Sequence, residues 1–245
     1  MKLFFRAASV AVICASFLGS VSAADMSVGI KGAFNLASTW GEDELDLSGL
    51  SGLEDVGLSV DMKKVMKPGL ILGVFLETRL TDNFSVQPEV MYTSKGMKYE
   101  MDMMGITATS AVNFSYLEIP VLLKLNLPLG VAVPNIYAGP AVAFRIGTSG
   151  YAEAAGTKEN MDDESIDMIK ENTSGFDFGL AMGGGCNFVA GPGAIVLDIR
   201  YTLGFLKLMK LTDEMKDAGM ESSDLPGNKN TALSFMIGYA FNIGG

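Results

Sequence analysis

Residues 115–126 read SYLEIPVLLKLN. Leu117, Ile119, Val121, Leu123 and Leu125 fall on every second position, while Tyr116, Glu118, Pro120, Leu122, Lys124 and Asn126 take the places between. An extended strand points alternate side chains to opposite faces, so this stretch has one wholly aliphatic face and one that carries a carboxylate and an ammonium. Which face looks inward decides the fold.

The same two-residue period recurs at 28–36, 70–80, 84–92, 136–146, 176–188, 195–205 and 233–241, which makes eight strands. Each is close to the length that a tilted strand needs to cross a bilayer. The connections alternate too. Short ones fall near 81–83, 127–133 and 190–193, and long ones near 38–68, 100–111, 148–174 and 207–230. That layout predicts an all-β fold: an eight-stranded antiparallel up-and-down transmembrane β-barrel with four long external loops and both termini periplasmic. The composition agrees, because 49% of the residues are hydrophobic and yet no segment after the N-terminal leader approaches 18 uninterrupted apolar residues.

Volume decides the sidedness. The interior of an eight-stranded barrel is only just wide enough for side chains to fill, and roughly five large aliphatic groups from every strand would not fit there. The opposite rows are rich in Gly and Ala, with scattered charges and an occasional large residue such as Leu122. The aliphatic rows are therefore expected to face lipid. The inward charges become Lys31, Arg79, Lys95, Lys124, Arg145 and Arg200 against Glu77, Glu89, Glu118, Asp177 and Asp198, six bases and five acids. Such near-balance suits a buried polar interior, because an unpaired charge there costs several kcal/mol. The expectation is a structural salt-bridged plug, with a conducting lumen as the alternative.

The N-terminus narrows the compartment. Lys2 and Arg6 precede an apolar run over 7–18, and Val21, Ser22 and Ala23 supply small residues before a cut at Ala24. This predicts a signal peptide over 1–23 and an outer-membrane β-barrel domain over 24–245 in a Gram-negative cell envelope. Cys14 lies in the leader, so Cys186 alone remains in the mature chain and no internal disulfide is available.

Chemistry of the common catalytic kinds is hard to place. The chain contains no histidine, which excludes Ser-His-Asp acyl transfer and a His-based zinc site. Glu77, Glu89 and Glu118 are accounted for by charge pairing, and Cys186 falls on the lipid-facing row. The reading is a non-enzyme with no catalytic, cofactor-binding or metal residues and no cofactor. The long connections hold 21 of the 28 acidic residues, including GEDELD at 41–46 and ENMDDESID at 159–167, and these are read as solvated loops. Their carboxylates could associate with lipopolysaccharide or the cell surface through cations, although no EF-hand spacing is present. With neither a basic patch nor a Gly-rich phosphate loop, nucleic acid is a poor partner.

SVQPEVMYTSKG at 85–96, YLEIPVLLKL at 116–125, YAGPAVAF at 137–144, FDFGLAMGGG at 176–185 and DIRYTLGFLKL at 198–208 resemble successive strands of the PorT-like outer-membrane β-barrel family of Bacteroidetes and related bacteria. The resemblance implies an eight-stranded outer-membrane barrel and little about activity. It does admit an accessory part in protein export to the cell surface. The function expected is thus an integral outer-membrane protein with a structural, adhesive or accessory surface role. Its expected partners are outer-membrane lipid, lipopolysaccharide and the outer-membrane assembly machinery, and it is expected to be a monomer. The alternatives are a narrow porin-like channel for small solutes and a soluble lipocalin-like carrier, which would need the aliphatic rows inside.

Overall fold

The computed structural model describes residues 26–41, 60–103, 106–217, 219–221 and 224–243; the expected leader and most of GEDELD lie outside them. Among the described residues there are ten strands: β1 (Met26–Trp40), β2 (Val60–Val65), β3 (Lys67–Arg79), β4 (Phe84–Met103), β5 (Ile106–Asn126), β6 (Ala132–Ala154), β7 (Thr157–Asn160), β8 (Phe176–Ala190), β9 (Gly193–Lys207) and β10 (Lys229–Asn242). Two short helices join them, α1 (Asp163–Asn172) and α2 (Asp213–Asp217).

All pairings are antiparallel. The path β4-β3-β1-β10-β9-β8-β6-β5 returns to β4 through a β4–β5 ladder, so the eight longest strands close on themselves and leave no edge within the ring. The strand count departs from the expected eight because the long connections are themselves ordered. β2 pairs with the outer part of β4 in line with β3, extending that stave outward, and β7 folds back on β6. The expected loop over 100–111 is largely ladder, since β4 and β5 stay paired out to Met103 and Ile106. The β-branched Ile106, Thr107, Thr109 and Val112 keep the extended backbone favourable past the point where the aliphatic row stops.

Sidedness follows the volume argument. On β5 Phe114, Tyr116, Glu118, Pro120, Leu122, Lys124 and Asn126 are buried, and the residues between them are not. Leu123 is 53% exposed while Leu122 beside it is 0% exposed. Ile30, Leu70, Leu72, Ile136, Ile199 and Ile237 stand out from the other staves of the ring. A lipocalin-like carrier would reverse this pattern.

Aromatic residues band the outer face at two heights. Phe84, Phe188, Tyr239 and Phe241 mark the end with short turns. Phe144 packs on Phe176 and Phe178 on Phe205 toward the long-connection end, with ring centroids 5.4 and 6.1 Å apart. The ten steps from Phe178 to Phe188 span about 33 Å along the strand, or about 25 Å of height at a tilt of about 40°.

The strands come unusually close where β6 passes β5. A Cβ added at Gly139 would lie 1.9 Å from the carbonyl oxygen of Val121, so no side chain fits without moving backbone. Gly139→Val is expected to destabilise the fold by about 1–3 kcal/mol, read as a lower midpoint in urea unfolding; parent-like unfolding would mean that the two strands do not approach in this way.

Candidate functional site

The interior of the ring holds the chemistry. On β4 the inward row carries Ser85, Gln87 and Glu89, on β5 Lys124 and Asn126, on β3 Glu77, on β1 Lys31, and on β9 Asp198 and Arg200. The period of the strands aims all of these at one axis, and the closed sheet removes them from water.

They bond into one continuous chain. Arg200 forks onto Glu89, its two terminal nitrogens donating to Oε2 at 2.6 Å and Oε1 at 2.8 Å. Lys31 lies 3.4 Å from Glu89 and 2.5 Å from Asp198. The Gln87 amide donates to Glu89 at 2.5 Å and accepts from Lys124 at 2.9 Å. Lys124 also holds Glu77 at 3.0 Å, and Glu77 accepts from Ser85 at 2.7 Å. Asn126 completes the chain by donating to the Ser85 hydroxyl at 2.9 Å. Tyr137 lies under the Arg200 guanidinium, 5.3 Å from its ring centre, and Phe75 under the Lys31 ammonium at 4.7 Å.

A second, smaller set lies toward the long-connection end. Glu118 ion-pairs with Lys95 of the neighbouring β4. Asp177 meets no cation within ion-pair distance among the described residues; it accepts from the Asn230 amide at 2.9 Å. Asn230 also reaches the Tyr116 hydroxyl at 3.4 Å.

Nine of the eleven charges expected inside are brought there in ion pairs or hydrogen bonds: Lys31, Glu77, Glu89, Lys95, Glu118, Lys124, Asp177, Asp198 and Arg200. Two need correction. Arg79 is exposed at the turn end, because β3 finishes there and the interior row opens to solvent. Arg145 is half-buried and pairs with no carboxylate among the described residues. It donates instead to the carbonyl of Lys170 at 2.9 Å and to the carbonyl and hydroxyl of Thr173.

Arg145 thereby sits at the C-terminus of α1, where a cation complements the helix dipole. The acidic run over 159–167 was expected to be loop, and part of it is the start of this helix. Asp162 caps it by accepting from the Ser165 amide at 2.8 Å, and Asp163 and Glu164 fill the first turn. The same hydrogen bond holds the Asp162 carboxyl below its ordinary range. Ile169 packs with Leu208 on Phe114 and Tyr116, which lays the helix against the outer end of the interior.

Gln87, Ser85 and Asn126 carry no charge to mark them as members of the network, and only their place on the inward rows of Glu89 and Lys124 signals it. Among the described residues no three acidic or cysteine side chains converge on a metal position. Cys186 is a free thiol on the outward row of β8, half-exposed.

A family model described as "Outer membrane protein beta-barrel domain" matches residues 22–210. Similar solved structures include Neisserial surface protein A, with 12% identity and a TM-score of 0.41 over 91% of this chain and 99% of that one. Ail, the attachment invasion locus protein of Yersinia pestis, is another, with 13% identity and a TM-score of 0.39 over 88% of this chain and 96% of that one. No curated protein sequence matches the chain.

Because Glu89 neutralises both Arg200 and Lys31, removing it leaves two buried cations short of a partner. Glu89→Ala is expected to cost about 3–5 kcal/mol, against a change within about 0.5 kcal/mol for the exposed Glu164→Ala. Urea unfolding of the two variants in the same detergent checks this, and equal midpoints would remove the network from the account of stability.

Proposed function

The chain belongs to the outer membrane protein beta-barrel domain family, and from that premise we propose that it crosses the outer membrane as an eight-stranded barrel whose bore is closed by its own ion pairs. Its role on this reading is structural, adhesive or accessory at the cell surface. The strand motifs at 85–96, 116–125 and 198–208, which resemble those of PorT-like barrels, support a place on that branch of the family. The observation that carries the closed bore is the fork of Arg200 onto Glu89. β9 and β4 stand four places apart in the ring of eight, so this pair runs from one wall to the opposite one. Gln87 and Lys124 continue the obstruction toward the turn end.

The outward apolar rows and the two aromatic bands, about 25 Å apart, supply the lipid-facing belt of such a protein. The β4–β5 hairpin, with β2, β6 and β7 beside it, extends past the upper band and would stand clear of the bilayer. With this end outside the cell, the paired ends of β1 and β10, joined by a hydrogen bond from the Ile243 amide to the Met26 carbonyl at 2.8 Å, face the periplasm. The partners proposed are lipid, lipopolysaccharide and the assembly machinery, with the protein acting as a monomer. A chain without histidine, whose buried carboxylates are held by cations and amides, is proposed to have no catalytic role.

Two measurements test this. Purified protein in a planar bilayer is expected to show no steady conductance of porin size, and stable openings would overturn the closed bore. Ile237, 62% exposed on the lipid face between the two bands, is expected to resist charge. Ile237→Arg should cost about 2–4 kcal/mol of insertion free energy, and Ile243→Arg at the turn end about 0–1 kcal/mol. Equal tolerance in a vesicle-folding assay would place the bilayer elsewhere on the molecule.

A further inference from the structure

At the turn end the bore opens into a recess of about 430 Å³. That volume falls in the range of small-molecule sites, about 300–1,000 Å³. Its lining includes Glu77, Arg79, Asp82, Asn126 and Asn187. The recess is blind, because Glu77 is the last carboxylate of the interior chain and Lys124 and Gln87 close the bore behind it.

The lining groups differ in what they have left to offer. Both oxygens of Glu77 are engaged, one by Lys124 and one by Ser85. Among the described residues the Arg79 guanidinium has neither an ion pair nor a hydrogen bond, although it stands beside two acidic residues on the same wall. Asn126 is 5% exposed, and among the described residues neither its amide oxygen nor that of Asn187 has a donor. A buried amide acceptor without a donor is costly, and a ligand that donates to it removes the cost.

We propose that this recess binds a small zwitterion, an amino acid or short peptide, with its carboxylate on Arg79 and its ammonium toward Asp82 and the Asn126 and Asn187 amide oxygens. Arginine forks onto a planar carboxylate in two parallel hydrogen bonds, which fixes the orientation of the ligand. A phosphate would meet Arg79 but would be repelled by Asp82 and Glu77. An uncharged sugar could serve the amide oxygens but would leave Arg79 and Asp82 unused.

The test is calorimetric titration of the purified full chain in detergent with L-alanyl-L-alanine, its C-terminal amide and its N-acetyl derivative. The free dipeptide is expected to bind, and each blocked form to bind about 10-fold more weakly or worse. Arg79→Gln should lower affinity for the free dipeptide about 10-fold and leave that for the amide unchanged, because only the carboxylate contact is lost. Asp82→Asn should act in the mirror sense, weakening the free dipeptide more than the N-acetyl form. Both side chains are exposed, so the variants should keep the gel mobility and unfolding midpoint of the parent. No saturable binding of the free dipeptide up to about 10 mM, equal binding of all three peptides, or parent-like binding by Arg79→Gln would each overturn the proposal.

Discussion

The contact between Arg200 and Glu89 ties one wall of the ring to the opposite wall, and the interior is arranged around it. A guanidinium and a carboxylate in a space this narrow are stable only when each is fully bonded, because neither can reach water. The structure meets that demand with Lys31, Gln87 and Tyr137 in direct contact with the pair, and Asp198 neutralises the remaining Lys31 charge. The wall beside it must be thin to leave room. A Cβ at Gly185 would lie 2.2 Å from Asp198 Oδ1, so the glycine run of β8 is the space in which the network sits.

From that centre the two ends of the molecule diverge. Toward the turns, Gln87 passes the network on to Lys124 and Glu77, and the interior ends in an open recess bearing Arg79 and Asp82. Toward the long connections it becomes more apolar, with Phe114, Tyr116 and Leu208 packed beneath α1. Arg145 is the hinge of that difference. Its position on the inward row of β6 is that of a lumen charge, but above Tyr116 the partners in reach are the free carbonyls at the end of a helix.

The outer surface obeys a different solvent. Apolar side chains that would be a liability in water stand exposed on every stave of the ring and form continuous rows between the aromatic bands. Beyond the upper band the strands continue with Ser, Thr, Lys and Glu at the surface, as in Lys98–Glu100 at 2.8 Å. Backbone pairing therefore outlasts the membrane-facing pattern, and the ordered sheet is longer than its apolar rows suggest.

The sequence by itself determined the period of the strands, their sidedness and the identity of nine interior charges. These follow from two local constraints: alternate residues face opposite ways, and a bore of eight strands cannot hold five aliphatic side chains from each. The helix over Asp163–Asn172 was legible in part, through Asp162 and the acidic first turn, but its weak apolar pattern hid it in a charged loop. The partners of each charge were not legible. Lys95 and Arg145 lie on strands adjacent to Glu118 and were equal candidates for it, and only the stagger between strands sets Lys95 beside Glu118 and lifts Arg145 to the helix end. The up-and-down order already puts the third and seventh staves, β4 and β9, on opposite walls. Which residues of those two rows meet at one height, and hence whether the bore is spanned, is set by the stagger of the closed ring, and no local pattern encodes it.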